Sequence, residues 1–243
     1  MSLASRLLNI FASPSEAFDA VKASAPSTAN WLAPALLLIL ISWVGAAVVL
    51  SQDSIRRQMS EVASQAIEKQ IQKMHLPPDK AEQARQQGEK WAGLSTTIGA
   101  YTGPIAVALV SPFWWGLILW LVGAKVLKGS FPFMKAVEAT GLSNMILALE
   151  AIVRTLLILA TGNLFASPSL VLLVKEFDPQ NPEHALLGAI NVMTLWALAI
   201  RSLGMARLTG VSFWKAALWV FGLWATYTAV ATGLGAALAS LAR

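Results

Sequence analysis

The chain has 243 residues, of which 56% are apolar and only 13% charged; it contains no cysteine and carries a net charge of +5. A soluble globular domain is about a quarter charged, so this composition argues against a cytosolic enzyme. The missing cysteines exclude disulfides, thiolate nucleophiles, iron–sulfur ligation and thiolate zinc sites. The 18 basic residues are scattered over short loops and form no dense block that would track a phosphate backbone, so nucleic acid is not an expected partner.

Residues 23–52, 91–124, 155–174, 185–200 and 216–242 carry no Asp, Glu, Lys or Arg. Runs of that length belong inside a bilayer. They predict an all-α polytopic membrane bundle of about five transmembrane helices, with N-terminal amphipathic helices and a helical hairpin outside the membrane. The expected spans are about 31–50, 97–124, 139–162, 185–206 and 215–241, in one membrane domain over 31–243.

Residues 1–30 hold two short amphipathic pieces, one with Leu3, Leu7, Leu8 and Phe11, the other with Phe18 and Val21. Ser13, Pro14 and Glu16 sit where an N-cap, a first-turn proline and the acid of a capping box would sit, so a new helix is expected to begin near Ser15. The pieces either lie on the membrane surface or pack against the spans. The first apolar run starts at Trp31, too far in for an ordinary signal peptide, so the segment is expected to be retained. Residues 31–50 contain eleven Leu, Ile or Val. On an insertion scale these contribute about −3 to −7 kcal/mol, enough to insert the first span.

Residues 51–90 carry seven Lys or Arg and six Asp or Glu. Ile55, Met59, Val62, Ala66, Ile67, Ile71 and Met74 recur three or four apart, the pattern of an amphipathic helix. Leu76, Pro77 and Pro78 stop it, and Asp79 opens a second helix through Lys80, Glu82, Arg85 and Glu89. This hairpin is the expected surface for self-association or a protein partner, the plainer reading being a solvated helix with one face on the bundle. In the second span Pro104 and Pro112 should kink the helix, with Trp114, Trp115 and Trp120 around them.

A basic linker with Lys125, Lys128 and Lys135 leads to the third span, which contains Glu150 and Arg154. Ten Leu, Ile or Val give this segment about −3 to −6 kcal/mol, whereas a mid-helix arginine costs roughly 2.5 to 3.5 and a glutamate something similar. Glutamate four residues before arginine is the favourable order for an in-helix ion pair. Mutual neutralisation toward the bundle interior is therefore expected, with Ser143 and Leu147 on the same polar face. The pair is either a structural device that fixes helix rotation or an intramembrane functional site.

Residues 164–174, with Pro168 inside, are too short to cross and read as a re-entrant or interfacial piece. An acidic linker with Glu176, Asp178, Pro179, Pro182 and Glu183 follows. Arg201 sits near one end of the fourth span, where it can snorkel. In the last span Ala225, Ala229, Gly233 and Ala237 recur every four residues, which permits close helix packing, within the chain rather than between chains. With the N-terminus inside, eight Lys or Arg fall on the inner side and nine on the outer. The short linkers favour a cytoplasmic N-terminus, and the hairpin opposes it.

A serine hydrolase would need a base beside Ser143, but His75 and His184 fall in linkers far from it and from each other. No phosphate-binding glycine loop, His-Glu-x-x-His or Cys-x-x-Cys is present. No enzyme activity, metal or cofactor is expected.

The order of features resembles the Yip family, in its bacterial form. The resemblance rests on Phe11, Pro14 and Phe18 in the amphipathic lead-in, the Trp31-Leu32-Ala33-Pro34 opening of the first span, a charged helical loop and clustered spans. It continues in Tyr101, Gly103 and Pro104, in Ser130 and Phe131, in Gly141, and in the Arg201 to Trp214 stretch. It implies a five-span integral protein, here of a bacterial cytoplasmic membrane, with a cytosolic N-terminus. Eukaryotic members are associated with Rab-type GTPases and vesicle traffic. Rab binding is not carried over, because the N-terminal region is very short and an Asp-Leu-Tyr-Gly element is lacking. The expected role is a non-enzymatic scaffold or partner-recruiting protein of the bilayer. The alternative is a small transporter or lipid-handling protein in which Pro104, Pro112, Glu150 and Arg154 line a polar cavity.

Overall fold

The computed structural model describes residues 1–241 except Glu176, Pro179 and Gln180, and it leaves out the side chains of Pro182 and of 235–241. Among the described residues the chain folds into ten α-helices, with one isolated antiparallel bridge between Ser169 and Asn191. Four helical stretches are long and apolar enough to cross a bilayer: Ala29–Leu50, Pro78–Val126, Phe133–Thr161 and Phe213–Leu234.

α1 (Leu3–Ala12) is capped by the Ser2 hydroxyl, which accepts from the Ser5 amide at 3.2 Å. α2 (Pro14–Ala23) starts at its proline as expected, but the capping box does not form. The Ser13 side chain makes no cap bond, and its carbonyl takes the amides of Glu16 and Ala17 instead. Proline's fixed φ suffices to start the turn. Both helices pack on the bundle: Ile10, Ala17, Phe18 and Val21 are fully buried in one cluster with Ala139, Leu142, Ile146 and Ile200. Leu8 of α1 faces outward.

α3 (Ala29–Leu50) is the first span. α4 (Asp53–Met74) ends at His75, whose left-handed backbone (φ 48°) turns the chain into α5 (Pro78–Leu121). α5 is a single helix of 44 residues, about 66 Å long at 1.5 Å per residue. It forms both the second arm of the hairpin and the second span, and it continues through Pro104 and Pro112. A widened turn at Val122–Val126 ends it.

The third span begins earlier than expected, because Pro132 starts α6 (Phe133–Ser143), which runs through Asn144 into α7 (Met145–Thr161). Lys135 is therefore helical and buried, not a linker base. Residues 164–174 do not form a span. A short 3₁₀ turn at Leu170–Leu173 tucks back so that the Val192 amide bonds the Pro168 carbonyl at 3.0 Å. The expected fourth span is interrupted. α8 (Pro182–Ala189) stops at Ile190, and α9 (Val192–Thr209) starts afresh with Asn191 as N-cap, its Oδ1 accepting from the amides of Met193 and Thr194. An asparagine that caps so well competes with helix propagation through it. α10 (Phe213–Leu241) completes the bundle, packing on α9 through Ala216 and Val220.

Candidate functional site

A cavity of about 480 Å³ lies between α3, α5 and α7, with Met59 of α4 at its outer end. Its walls include Leu38, Val49, Val107 and Ile158, and its polar groups include Ser42, Glu150, Arg154 and Thr155. Pro104 is also in the wall beside Ala100. Having no N–H, Pro104 deprives the Ala100 carbonyl of its helical partner, which leaves a backbone acceptor at the cavity wall. A second cavity of about 400 Å³, between the hairpin arms, shares Leu50 and Met59 with the first and contains Arg56, Glu89 and Tyr101.

Glu150 and Arg154 are thus on one cavity wall, one helical turn apart, but they do not touch within 4.0 Å. Glu150 instead accepts the Asn191 side-chain amide at 2.6 Å. The cap of α9 therefore also holds the acid of α7, which ties the interrupted fourth helix to the third span. Arg154 is exposed; it is attracted by Glu150 but makes no hydrogen bond or salt bridge within 4.0 Å to any described residue. Leu147 lines the cavity beside them, whereas Ser143 does not. The Ser143 hydroxyl donates to the Ala139 carbonyl at 2.7 Å and is fully buried, with His75 in the hairpin turn and His184 stacked on Phe177. Pro112 lies apart from the cavity, buried, with its carbonyl accepting from the Thr140 hydroxyl at 2.7 Å.

A second polar cluster lies at the end of the bundle covered by α1 and α2. Glu138, fully buried, receives the Lys135 ammonium at 3.0 Å and the Asn30 amide. The Asn30 Oδ1 in turn accepts from Arg6 at 3.2 Å, so α1, α3 and α6 are joined through one carboxylate. Beside it, Arg201 is 5% exposed and sits in the middle of α9 rather than near an end. It does not snorkel. Its guanidinium donates to Asn144 Oδ1 at 3.0 Å and lies 4.7 Å from the centre of the Trp115 ring, within cation–π range. Asn144 is also bonded to Ser111 at 3.1 Å. Sequence reasoning missed this cluster. Its signal was the pair Lys135 and Glu138 three apart, and the asparagines at 30 and 144 amid apolar residues.

Some of the residues that carried the family resemblance make close contacts near this end, whereas Tyr101 and Pro104 line the two cavities. A Cβ at Gly141 would lie 2.4 Å from the Trp31 Cα, so glycine alone lets α6 meet α3 at this level. Phe18 rests on Gly204, and Phe131 on Gly123. The small-residue stripe of α10 behaves otherwise. Ala225, Ala229 and Gly233 are exposed, and a Cβ on Gly233 would enter open space, so among the described residues they make no close helix packing; the Ala237 side chain lies outside the described residues. α10 uses its other face, with Val220 and Trp224, against the bundle.

Among curated proteins and among solved structures no match is found. The family model of the Yip1 domain, by contrast, matches residues 8–234, nearly the whole of this helical, membrane-spanning chain. The protein belongs to the Yip1 domain family.

Proposed function

We propose that this protein is a non-enzymatic scaffold of a bacterial cytoplasmic membrane, in which the bundle serves as anchor and the hairpin 51–90 engages a protein partner or a second copy. The observation that carries the reading is the unbroken helix Pro78–Leu121, which makes the hairpin a rigid extension of a span rather than a tethered loop. Arg85 grips Glu68 across the hairpin at 2.9 and 3.2 Å, and Ile67 packs against Gly88, so the two arms move as one body.

The chain crosses five times in this reading, with α9 as the fifth pass. α3 and α7 end together at the hairpin, where Gln58 bonds the Gly162 carbonyl and the Leu164 amide. α9 ends at the opposite face, where Lys22 of α2 donates to the Arg207 carbonyl at 2.8 Å. The short basic linkers share the face of α1 and α2, which supports a cytoplasmic N-terminus. The test uses photo-crosslinkers at Gln70 and Gln87 on the hairpin and at lipid-facing Leu218 as control. Discrete protein adducts in native membranes from the hairpin sites alone are expected; monomer at every site would overturn the scaffold reading.

A second reading, a lipid-handling protein, is favoured by the cavity that gathers Pro104, Glu150 and Arg154.

A further inference from the structure

We propose that the cavity between α3, α5 and α7 binds an acidic phospholipid, its phosphate on Arg154 and an acyl chain along the apolar wall. This rests on the lipid-handling reading and names its ligand. The cavity volume of about 480 Å³ falls in the range of ligand pockets, roughly 300 to 1,000 Å³. Leu38, Val49, Val107, Leu147 and Ile158 give it a hydrocarbon lining. Val107, 51% exposed, and Arg154 mark its open side.

The charge pattern selects the headgroup. A cation within a membrane span normally faces a partner; Arg154 feels the charge of Glu150 one turn away, but its guanidinium makes no hydrogen bond or salt bridge within 4.0 Å to any described residue. Glu150 is held one turn deeper by the neutral Asn191 amide, so the cavity carries one charge of each sign, with the guanidinium N–H groups at its open side and without a protein acceptor among the described residues. A phosphodiester matches it, since guanidinium and phosphate oxygens form paired charge-assisted hydrogen bonds.

The order of the two charges argues further against an ammonium-bearing headgroup. α7 ends at Thr161 beside the hairpin, so Arg154 lies about 10 Å from that end and Glu150 about 16 Å. In a phospholipid of that leaflet the ammonium lies outward of the phosphate, whereas here the acid lies inward of the base. An amine would be carried away from Glu150, not toward it.

The test is native mass spectrometry of the full chain released from mixed micelles that contain phosphatidylglycerol and phosphatidylcholine in equal amounts. Wild type is expected to retain phosphatidylglycerol about tenfold over phosphatidylcholine. Arg154→Gln, which removes a charge from a span and should insert more readily, should bring the ratio near one; Arg154→Lys should keep most of the preference. Ala46→Phe, which fills the cavity, should lower retention of both lipids severalfold. If Ala46→Phe retains as much lipid as wild type, the cavity is not the site and the lipid-handling reading fails with it. If filling the cavity expels lipid but Arg154→Gln keeps the preference, or wild type holds phosphatidylcholine equally well, lipid handling stands and the acidic headgroup is refuted.

Discussion

Lys135 and Glu138 have 4% and no exposure respectively, and among the described residues each is the other's counter-charge, the Glu138 carboxylate also accepting from the Asn30 amide. Removing one member of such a pair leaves a bare charge in the interior and costs on the order of 3–5 kcal/mol, while replacing both with apolar groups of similar size can be neutral. Lys135→Met should therefore lower the unfolding midpoint in detergent sharply, and Lys135→Met with Glu138→Leu should recover most of the loss; equal damage from both variants would contradict this account. Asn191 serves two elements at once. Asn191→Ala removes the α9 cap, about 1 kcal/mol, and a hydrogen bond to a charged group, about 1.5 to 3 kcal/mol. Thermal unfolding should register more than the cap alone. These partnerships were only half legible. The sequence placed Glu150 and Arg154 on one face by their spacing of four, but the competing donor came from Asn191, a residue 41 positions later. No local pattern reports a partner at that distance. Arg201 looks terminal in the expected span 185–206, whereas the helix starts seven residues later and ends three later, at Val192–Thr209, which makes it central.

For single helices, prolines and glycines gave the most information. Pro14, Pro78 and Pro132 each mark the start of a helix, and Gly162 and Gly210 end α7 and α9 with φ of 62° and 81°. Gly141 was visible as a family feature, but its role as the contact between α6 and the Trp31 backbone depends on tertiary packing. Gly141→Val should prevent the two helices from meeting and abolish recovery of folded protein in detergent, whereas Gly93→Ala, in open space, should be tolerated. A gel-filtration comparison of the two decides it. Charge spacing revealed the hairpin, and the structure adds its clasp. The two-pronged hydrogen bond from Arg85 holds the Glu68 carboxyl below its usual range and raises Arg85 above its own. A depressed carboxyl stabilises the folded form above its ordinary value and loses that contribution as pH falls through the lowered one. The arms should stay together at neutral pH and loosen only once the pH has fallen below the ordinary carboxylate range. Spin labels at Gln70 and Gln83, introduced as cysteines into a chain that has none, would report the separation. Glu68→Gln should erase its pH dependence.

On the scale of the molecule, the outward surface is hydrocarbon-like, with Leu218 73% and Val110 61% exposed. In water such a surface would be an aggregation liability, whereas in a bilayer it is the lipid contact. The chain should remain in the membrane pellet after alkaline carbonate washing and leave it only with detergent. Composition and long uncharged runs made this class of fold readable. They could not show how the fourth apolar stretch divides at Asn191, because hydropathy is blind to a cap.

The continuous rod Pro78–Leu121 has a mechanical consequence. A hydrocarbon core is about 30 Å thick, so more than half of a 66 Å helix stands clear of it. Membrane thickness sets how far a span leans, and any lean is magnified at the free end. A change of ten degrees where the rod leaves the lipid swings the hairpin tip by about 6 Å. The shape that holds the hairpin away from the bilayer is thus also a pointer, whose tip shifts with the lean of the span in the surrounding lipid.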